Sequence, residues 1–200
     1  MKTISRVYDT YAQARNAVAA VEAAGVPTSE VSLVANRYVS DTYADVDDVS
    51  KASEGAGTGA GIGGAVGGGA GLLAGLGMLA IPGLGPVVAA GWLAALAVGA
   101  AAGAATGGIV GALIGAGISD EHANVYSESV RRGGTLVSVR VNDNDAARIE
   151  AILDRYNPID PALRGAEYRK DGWKNFDPKA PAYRPSQSEI ERMRRDDLAA

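Results

Sequence analysis

His122 and two acidic stretches are the residues whose types suit catalysis or metal binding. His122 is the only histidine, and the chain has no cysteine or second histidine with which it could share a metal ion. The stretches DVDD at 45–48 and NDND at 142–145 lack the spaced ligands and the glycine of a calcium loop. We therefore predict a solvent-facing or packed histidine, a solvated loop and a helix cap. The sequence predicts no catalytic, cofactor-binding or metal-binding residue, and hence no enzyme.

The overall composition excludes further classes of protein. A chain of 200 residues without cysteine has neither a disulfide framework nor a thiolate metal site. Its net charge of −4 is too small to indicate a nucleic-acid partner. The opening MKTISRVYDTY has no apolar core of a signal peptide, so we expect a cytoplasmic protein.

A block without charge divides the chain into two polar flanks. None of the 19 basic and 23 acidic residues lies within 55–118, and most of the 27 glycines do. The block is rich in Leu, Ile, Val and Ala and nearly free of Ser, which argues against a flexible linker. We expect structured, buried helices in this region.

The two flanks predict complementary halves of one domain. Before the block, TISRVY and EVSLVAN favour strands, and the helix between them starts at a Thr10–Gln13 capping box and ends at Gly25. After the block, Ser119 caps a helix that ends at Gly133-Gly134, TLVSVRV forms a strand with its odd-numbered valines on one face, and VNDND starts a last helix. Neither half can bury its apolar face alone. The expected fold is therefore α+β, a small ferredoxin-like sandwich formed by 1–54 and 119–157.

The block itself predicts a glycine-zipper helical hairpin. Glycine costs about 0.8–1 kcal/mol per helical position relative to alanine, and close backbone contact between helices is the expected compensation. We expect helices over roughly 57–80 and 87–117, joined by a turn at Pro82, Gly83, Gly85 and Pro86. The positions predicted to make helix-packing and assembly contacts are Gly55, Gly59, Gly63, Gly67, Gly71, Gly75, Gly91, Gly99, Gly103, Gly107, Gly111 and Gly115.

The small residues occur on more than one side of the first predicted helix. One partner helix cannot use all of them, so we expect contacts within the hairpin and between hairpins of neighbouring subunits. The helices are also long enough to cross a bilayer core of about 30 Å, whereas no Lys/Arg cluster flanks them. Membrane insertion and burial in a soluble oligomer therefore remain equally open. Trp92, near the tip, suits either a membrane interface or a gap between glycines.

Residues 3–156 resemble bacterial general stress proteins of the 17M/YflT-like family and cyanobacterial low temperature-induced proteins. The resemblance depends on the glycine block, on AIPGLGP within it and on ESVRRGGTLVSVRV after it. It implies a stress-linked, non-enzymatic role, and the family has no catalytic residues to transfer. The chain continues beyond the region of resemblance.

Residues 158–200 predict an extended arm with aromatic anchors. The anchors are Tyr168, Trp173, Phe176 and Tyr183, which stand among prolines and charges. The arm is expected to dock either on a partner or on its own domain. A capping box at Ser186 and Glu189 predicts a short terminal helix.

These patterns predict a non-enzymatic, stress-associated protein that self-assembles through its glycine-zipper helices at or in a membrane. Its expected partners are further copies of itself and a lipid membrane, with both termini on the same side, and not nucleic acid. The alternative is a soluble homo-oligomer whose hairpins are buried between subunits. A third class, an enzyme or ligand-binding module on the α+β domain, needs convergent polar groups that the sequence pattern does not indicate.

Overall fold

A computed structural model of the chain describes residues 1–36, 77–81, 84–93, 108–180, 186–188 and 191. The strands are β1 (Lys2–Tyr8), β2 (Val31–Asn36), β3 (Gly77–Ile81), β4 (Gly85–Ala90) and β5 (Thr135–Val141). The helices are α1 (Tyr11–Ala23), α2 (Gly108–Gly115), α3 (Asp120–Arg131), α4 (Asp143–Asp154) and α5 (Pro161–Lys170), with a 3-10 turn at Thr28–Glu30. Mixed helices and strands confirm the predicted α+β class.

The strands form one antiparallel sheet in the order β1-β5-β2-β4-β3. β5 pairs with β1 on one side and with β2 on the other, so that Ser138 lies opposite both Ser5 and Ser32. β1-α1-β2 is therefore a split β-α-β unit with β5 inserted between its two parallel strands. A ferredoxin-like sheet repeats this unit, whereas the described residues contain it once and extend the sheet with β4 and β3 instead.

Helices cover both faces of the sheet, which gives three layers rather than the two of the predicted sandwich. On one face α1 and α4 pack on a core that includes Ile4, Leu33 and Val137. On the other face α2 and α3 pack on a core that includes Val34 and Leu136. The second layer of helices explains why every residue of β2 is buried, because a strand covered on both faces cannot expose alternate side chains.

The predicted helix ends in the flanks are confirmed by hydrogen bonds. Thr10 and Gln13 form a reciprocal capping box at the start of α1, and the Ser119 side chain accepts a hydrogen bond from the His122 backbone at the start of α3. After α1, the Gly25 N–H donates to the Glu22 carbonyl at 2.9 Å. After α3, the Gly134 N–H donates to the Ser129 carbonyl at 2.8 Å. Each of these caps involves only residues close to each other in the chain.

The predicted helical hairpin is wrong over Gly77–Ile81 and Gly85–Ala90, which form the paired strands β3 and β4. β4 pairs with β2 from Leu33 opposite Ala90 to Asn36 opposite Val87. None of the glycines predicted from the four-residue spacing lies within β3 or β4, so that the spacing carried no information about these two strands. Pairing with the edge of β2 satisfies the backbone hydrogen bonds of a segment in which glycine and proline disfavour a helix.

Two of the predicted hairpin-turn residues and one predicted contact residue have other roles. Gly85 and Pro86 lie within β4, and Pro82 and Gly83 fall outside the described residues. Gly91 ends β4 with φ +87°, where a Cβ atom would lie 2.1 Å from the Val31 carbonyl oxygen. Gly91 is therefore required for close approach to β2 and does not belong to a helical ridge.

Candidate interaction surface

α2 retains a helical part of the glycine block and attaches it to the sheet. Ile109 and Leu113 have no exposed surface and Ala112 is buried, and all three belong to the core shared with β2 and α3. These residues are spaced i, i+3, i+4, the spacing of one helix face. The predicted helix over 87–117 is thus confirmed for Gly108–Gly115.

The end of α2 is set by a glycine cap that leads directly into α3. Gly117 has φ +92°, and its N–H donates to the Ile114 carbonyl at 2.9 Å. The Ile118 N–H donates to the Leu113 carbonyl at 3.0 Å, which completes a Schellman motif. Ser119 then caps α3, so that the end of one helix is joined to the first turn of the next without an intervening loop.

The outer face of α2, comprising Gly111, Ile114 and Gly115, is apolar, and Val110 beside it is partly buried against the core. The helix GIVGALIG has no polar side chain at all, although surface helices normally carry polar residues opposite their buried stripe. Ile114 is 42% exposed. Against the described residues, a Cβ atom built on Gly111 or on Gly115 meets nothing within 4 Å. Among the described residues, this face is therefore uncovered around two glycines one helical turn apart.

The structure places three of the twelve predicted contact glycines. Gly111 and Gly115 lie together on the outer face of α2, and Gly91 lies elsewhere, beside β2. The other nine lie outside the described residues: Gly55, Gly59, Gly63, Gly67, Gly71, Gly75, Gly99, Gly103 and Gly107.

His122 lies in a polar cleft at the outer edge of β1, a second candidate site. The cleft has a volume of about 310 Å³, and Arg6, His122, Tyr126 and Glu150 contribute to its lining. The ring centroids of His122 and Tyr126 are 6.1 Å apart. Sequence reasoning did not bring these polar side chains together, because they come from β1, α3 and α4.

The polar groups of this cleft are largely occupied by one another. The Arg6 Nε donates to Asp154 at 2.7 Å, and the Tyr126 hydroxyl donates to the Ser5 carbonyl at 3.3 Å. Lys2 pairs with Glu150 at 2.8 Å. Burial raises the pKa of Tyr126, because the phenolate would lose its hydration. The cleft therefore contains a neutral phenol and paired charges rather than an activated nucleophile.

The predicted cap at NDND is confirmed, and DVDD lies outside the described residues. Asn142 is the N-cap residue of α4, although its side chain makes no capping hydrogen bond. Asp145 pairs with Arg148 at 3.0 Å, and Asp143 lies 3.9 Å from the N-terminal amine. In the part of the chain that the structure describes, no three His, Asp or Glu side chains come together as a metal site.

The predicted extended arm is in part helical and docks on its own domain. Residues Pro161–Lys170 form α5, which corrects the extended prediction there. Tyr168 and Phe176 are buried, and the rings of Tyr168 and Trp173 meet edge to face at 5.7 Å. Tyr183 lies outside the described residues, and Gln187, Ser188 and Glu191 have helical backbone.

Sequence reasoning missed a buried charge cluster on α3. The Glu128 side chain is 1% exposed and accepts hydrogen bonds from the Nε atoms of Arg131 at 2.9 Å and Arg132 at 2.7 Å. The Arg132 guanidinium also stacks 4.2 Å from the centre of the Tyr168 ring. The spacing E-x-x-R-R is the signal that could have revealed the cluster, since i, i+3 and i, i+4 share a helix face.

Trp92 has a defined position at the end of β4. Its indole N–H donates to the Glu30 carbonyl at 3.2 Å, and the Arg140 guanidinium lies 4.7 Å from its ring centre. These contacts join β4 to the start of β2, so Trp92 packs within the described domain.

Comparisons of the chain with protein-family models, with curated proteins and with solved structures give no match. Among the described residues, no helix has both the length and the apolar character needed to cross a bilayer.

Proposed function

We propose that this protein is a non-enzymatic, self-assembling protein whose copies pack through the outer face of α2 and the glycine-rich segments of the block. The observation that supports the proposal is an all-apolar helix held at the surface with two glycines facing outward. The resemblance to general stress proteins supports a stress-associated role for the assembly.

A second copy is the occupant that best fits this face. Two glycines one turn apart allow a partner backbone to approach closely, which increases dispersion contacts and brings Cα–H groups within reach of carbonyl oxygens. The exposed Ile114 side chain beside them supplies apolar area that such a contact would bury. Because the block contains many further glycines at the same spacing and no charge, a second copy would present matching small-residue surfaces.

The glycine-rich segments 55–76 and 94–107 are proposed to extend this contact as a glycine zipper. They flank the β3–β4 hairpin in the chain, and the second of them leads directly into α2. The sheet gives both segments a rigid point of attachment at β3 and at Trp92. The number of contacts per copy would then exceed what α2 alone can make.

Gly111→Leu is the variant that tests self-assembly with least effect on folding. A leucine there would prevent close helix contact, yet its Cβ atom meets no described atom within 4 Å. We expect light scattering after gel filtration to show a fall from a multi-subunit particle to a species no larger than a dimer. Ala166→Leu, at an exposed position on α5, is the matched control and should leave the particle intact. Particles of unchanged mass in Gly111→Leu would refute the role of this face.

Flotation on a density gradient separates the membrane-bound assembly from the soluble one. Detergent-free lysate is layered below the gradient, and the protein is followed by blot. Material that rises with lipid and resists a carbonate wash supports assembly in a membrane. A defined particle that stays at the bottom supports the soluble homo-oligomer.

A further inference from the structure

Residues 159–180, the C-terminal segment, cover the polar face of α3. The Ser129 and Tyr168 hydroxyls lie 3.1 Å apart, and the Phe176 N–H donates to the Asn124 side-chain oxygen at 3.1 Å. Glu121 pairs with Arg169 at 2.6 Å. Through these contacts a helix face of the kind that normally faces water becomes buried.

The covered face of α3 satisfies its own polar groups. The Asn124 side chain donates to the Asp120 carbonyl at 2.9 Å, and the Ser129 hydroxyl lies 2.8 Å from the Val125 carbonyl. Glu128 is paired with two arginines of the same helix end. Removal of the C-terminal segment would therefore leave few polar groups of α3 without a hydrogen-bond partner. Interfaces between domains that can separate are polar in the same way.

A short hinge joins the C-terminal segment to α4. Only residues 155–158 separate the end of α4 from the C-terminal segment. Within this hinge Asn157 has φ +53°, in the left-handed region that glycine and asparagine adopt more readily than other residues, and Pro158 follows it. A hinge this short favours the exchange of the segment beyond it, because only a few residues need to change conformation for the segment to reach a second copy.

We propose that the C-terminal segment exchanges between copies of this chain, docking on α3 of a second copy through the contacts seen here within one chain. The second copy is the natural occupant because it presents the same α3 face. An exchanged pair recreates each contact, including the 2.8 Å hydrogen bond from the Ile159 N–H to the Val7 carbonyl and the Arg164–Asp9 ion pair. Only the hinge differs between the closed and exchanged forms. Exchange does not depend on the outer face of α2.

A cysteine pair distinguishes the two forms, and the chain has no cysteine of its own. A Cβ atom at Gly165 would lie 3.0 Å from Val125 Cγ2, so cysteines at 125 and 165 are within disulfide reach. The double variant Val125→Cys/Gly165→Cys is unfolded, refolded over a range of protein concentrations, oxidised and separated on a non-reducing gel. We expect a disulfide-linked dimer whose share rises several-fold with concentration. Intrachain-linked monomers alone at every concentration would overturn the proposal.

Val125→Cys/Leu163→Cys is the matched control, because Leu163 is on the same helix but 68% exposed. It should give little linked dimer, whereas dimers in equal yield would mean random collision and count against exchange. Adding Gly111→Leu to the first pair removes the contact proposed for assembly. Concentration-dependent dimers in that background support exchange by itself, and their absence there contradicts it.

Hinge variants test the same proposal without cysteines. Asn157→Val disfavours the left-handed conformation and should raise the dimer fraction of the Gly111→Leu protein in gel filtration several-fold. Asn157→Gly tolerates that conformation and should lower the fraction. Equal dimer fractions in the two variants would argue against a hinge-controlled exchange.

Discussion

The neighbouring helices α2 and α3 differ in the opposite way from what their compositions suggest. The polar helix α3 is buried, and the apolar helix α2 is partly exposed. α3 carries Asn124, Ser127, Glu128 and Ser129, yet every residue from Ala123 to Val130 is buried. α2 has no polar side chain, yet its outer face stays open among the described residues. Hydropathy therefore did not decide which helix lies at the centre.

The C-terminal segment is the cause of this difference. It folds back over α3, whose polar groups are satisfied by the helix itself, and leaves α2 at the side. An apolar helix at the periphery favours association, whereas a polar helix at the centre holds the domain together through hydrogen bonds and charges. Substitutions in and around the two helices test these roles, beginning with the largest expected effect.

Glu128→Ala should destabilise the domain by about 3 kcal/mol, because it leaves two partly buried arginines without their carboxylate. Denaturant unfolding measures the loss. Glu121→Ala removes an exposed carboxylate from the same helix and should cost less than about 1 kcal/mol. Similar losses in the two variants would show that the buried cluster does not stabilise α3.

Gly134→Ala should cost about 1–3 kcal/mol through overpacking at the end of α3. The added Cβ atom would lie 3.0 Å from the Ser129 carbonyl oxygen and 3.1 Å from Val7 Cγ1. Denaturation midpoints compared with the unmodified chain give the effect. An unchanged midpoint would mean that the packing around α3 is looser than these distances indicate.

Tyr126→Phe should cost about 1 kcal/mol at neutral pH, since it loses the hydrogen bond to the Ser5 carbonyl. Burial raises the pKa of Tyr126 in the folded state, so the folded protein retains the proton that the unfolded chain loses above about pH 10. Stability is thus fully present below that pH and falls as the pH rises further.

The Tyr126→Phe protein should consequently lose stability less steeply above about pH 10 than the unmodified chain. Unfolding measured across alkaline pH tests this slope. Ile109→Val, in the uncharged helix α2, is the control: it should cost about 1 kcal/mol at every pH and leave the slope unchanged. Identical slopes with and without the Tyr126 hydroxyl would contradict its contribution.

Gly111→Ala has the smallest and opposite expected effect. Alanine is favoured over glycine in a helix, and its Cβ atom would occupy open space, so we expect a gain of about 0.5–1 kcal/mol in domain stability. Thermal unfolding at low protein concentration measures the gain. A loss of stability instead would indicate that another part of the chain already occupies this face.

Local signals were the part of the fold that the sequence predicted well. The capping box at Thr10, the helix stops at Gly25 and Gly133-Gly134, and the Ser119 cap involve neighbouring residues, and all are confirmed. The strands and helices of the flanks were predictable for the same reason. Strands β3 and β4 were predicted wrongly as helix, because their conformation depends on pairing with the edge of β2, which is distant in sequence.

The residues of the candidate interaction surface could be predicted from the sequence, but their exposure and arrangement could not. Gly111 and Gly115 were named from their spacing, and the structure puts them on one outer face. Their exposure depends on how α2 packs against α3 and the sheet. The local sequence pattern likewise did not predict the Glu128 cluster or the docking of Tyr168. The burial of the polar helix α3 depends on the C-terminal segment, which comes much later in the chain.

The amino-acid sequence alone was enough for the α+β class, the boundaries of the flanking helices and the presence of an uncharged, glycine-rich block, because these depend on composition and on contacts within a turn or two. The packing of distant segments was needed to make part of the block into strands, to cover both faces of the sheet with helices, and to enclose α3 rather than α2. Those outcomes depend on which backbone edges and side-chain faces remain unpaired once distant segments meet, and no single stretch of sequence carries that information.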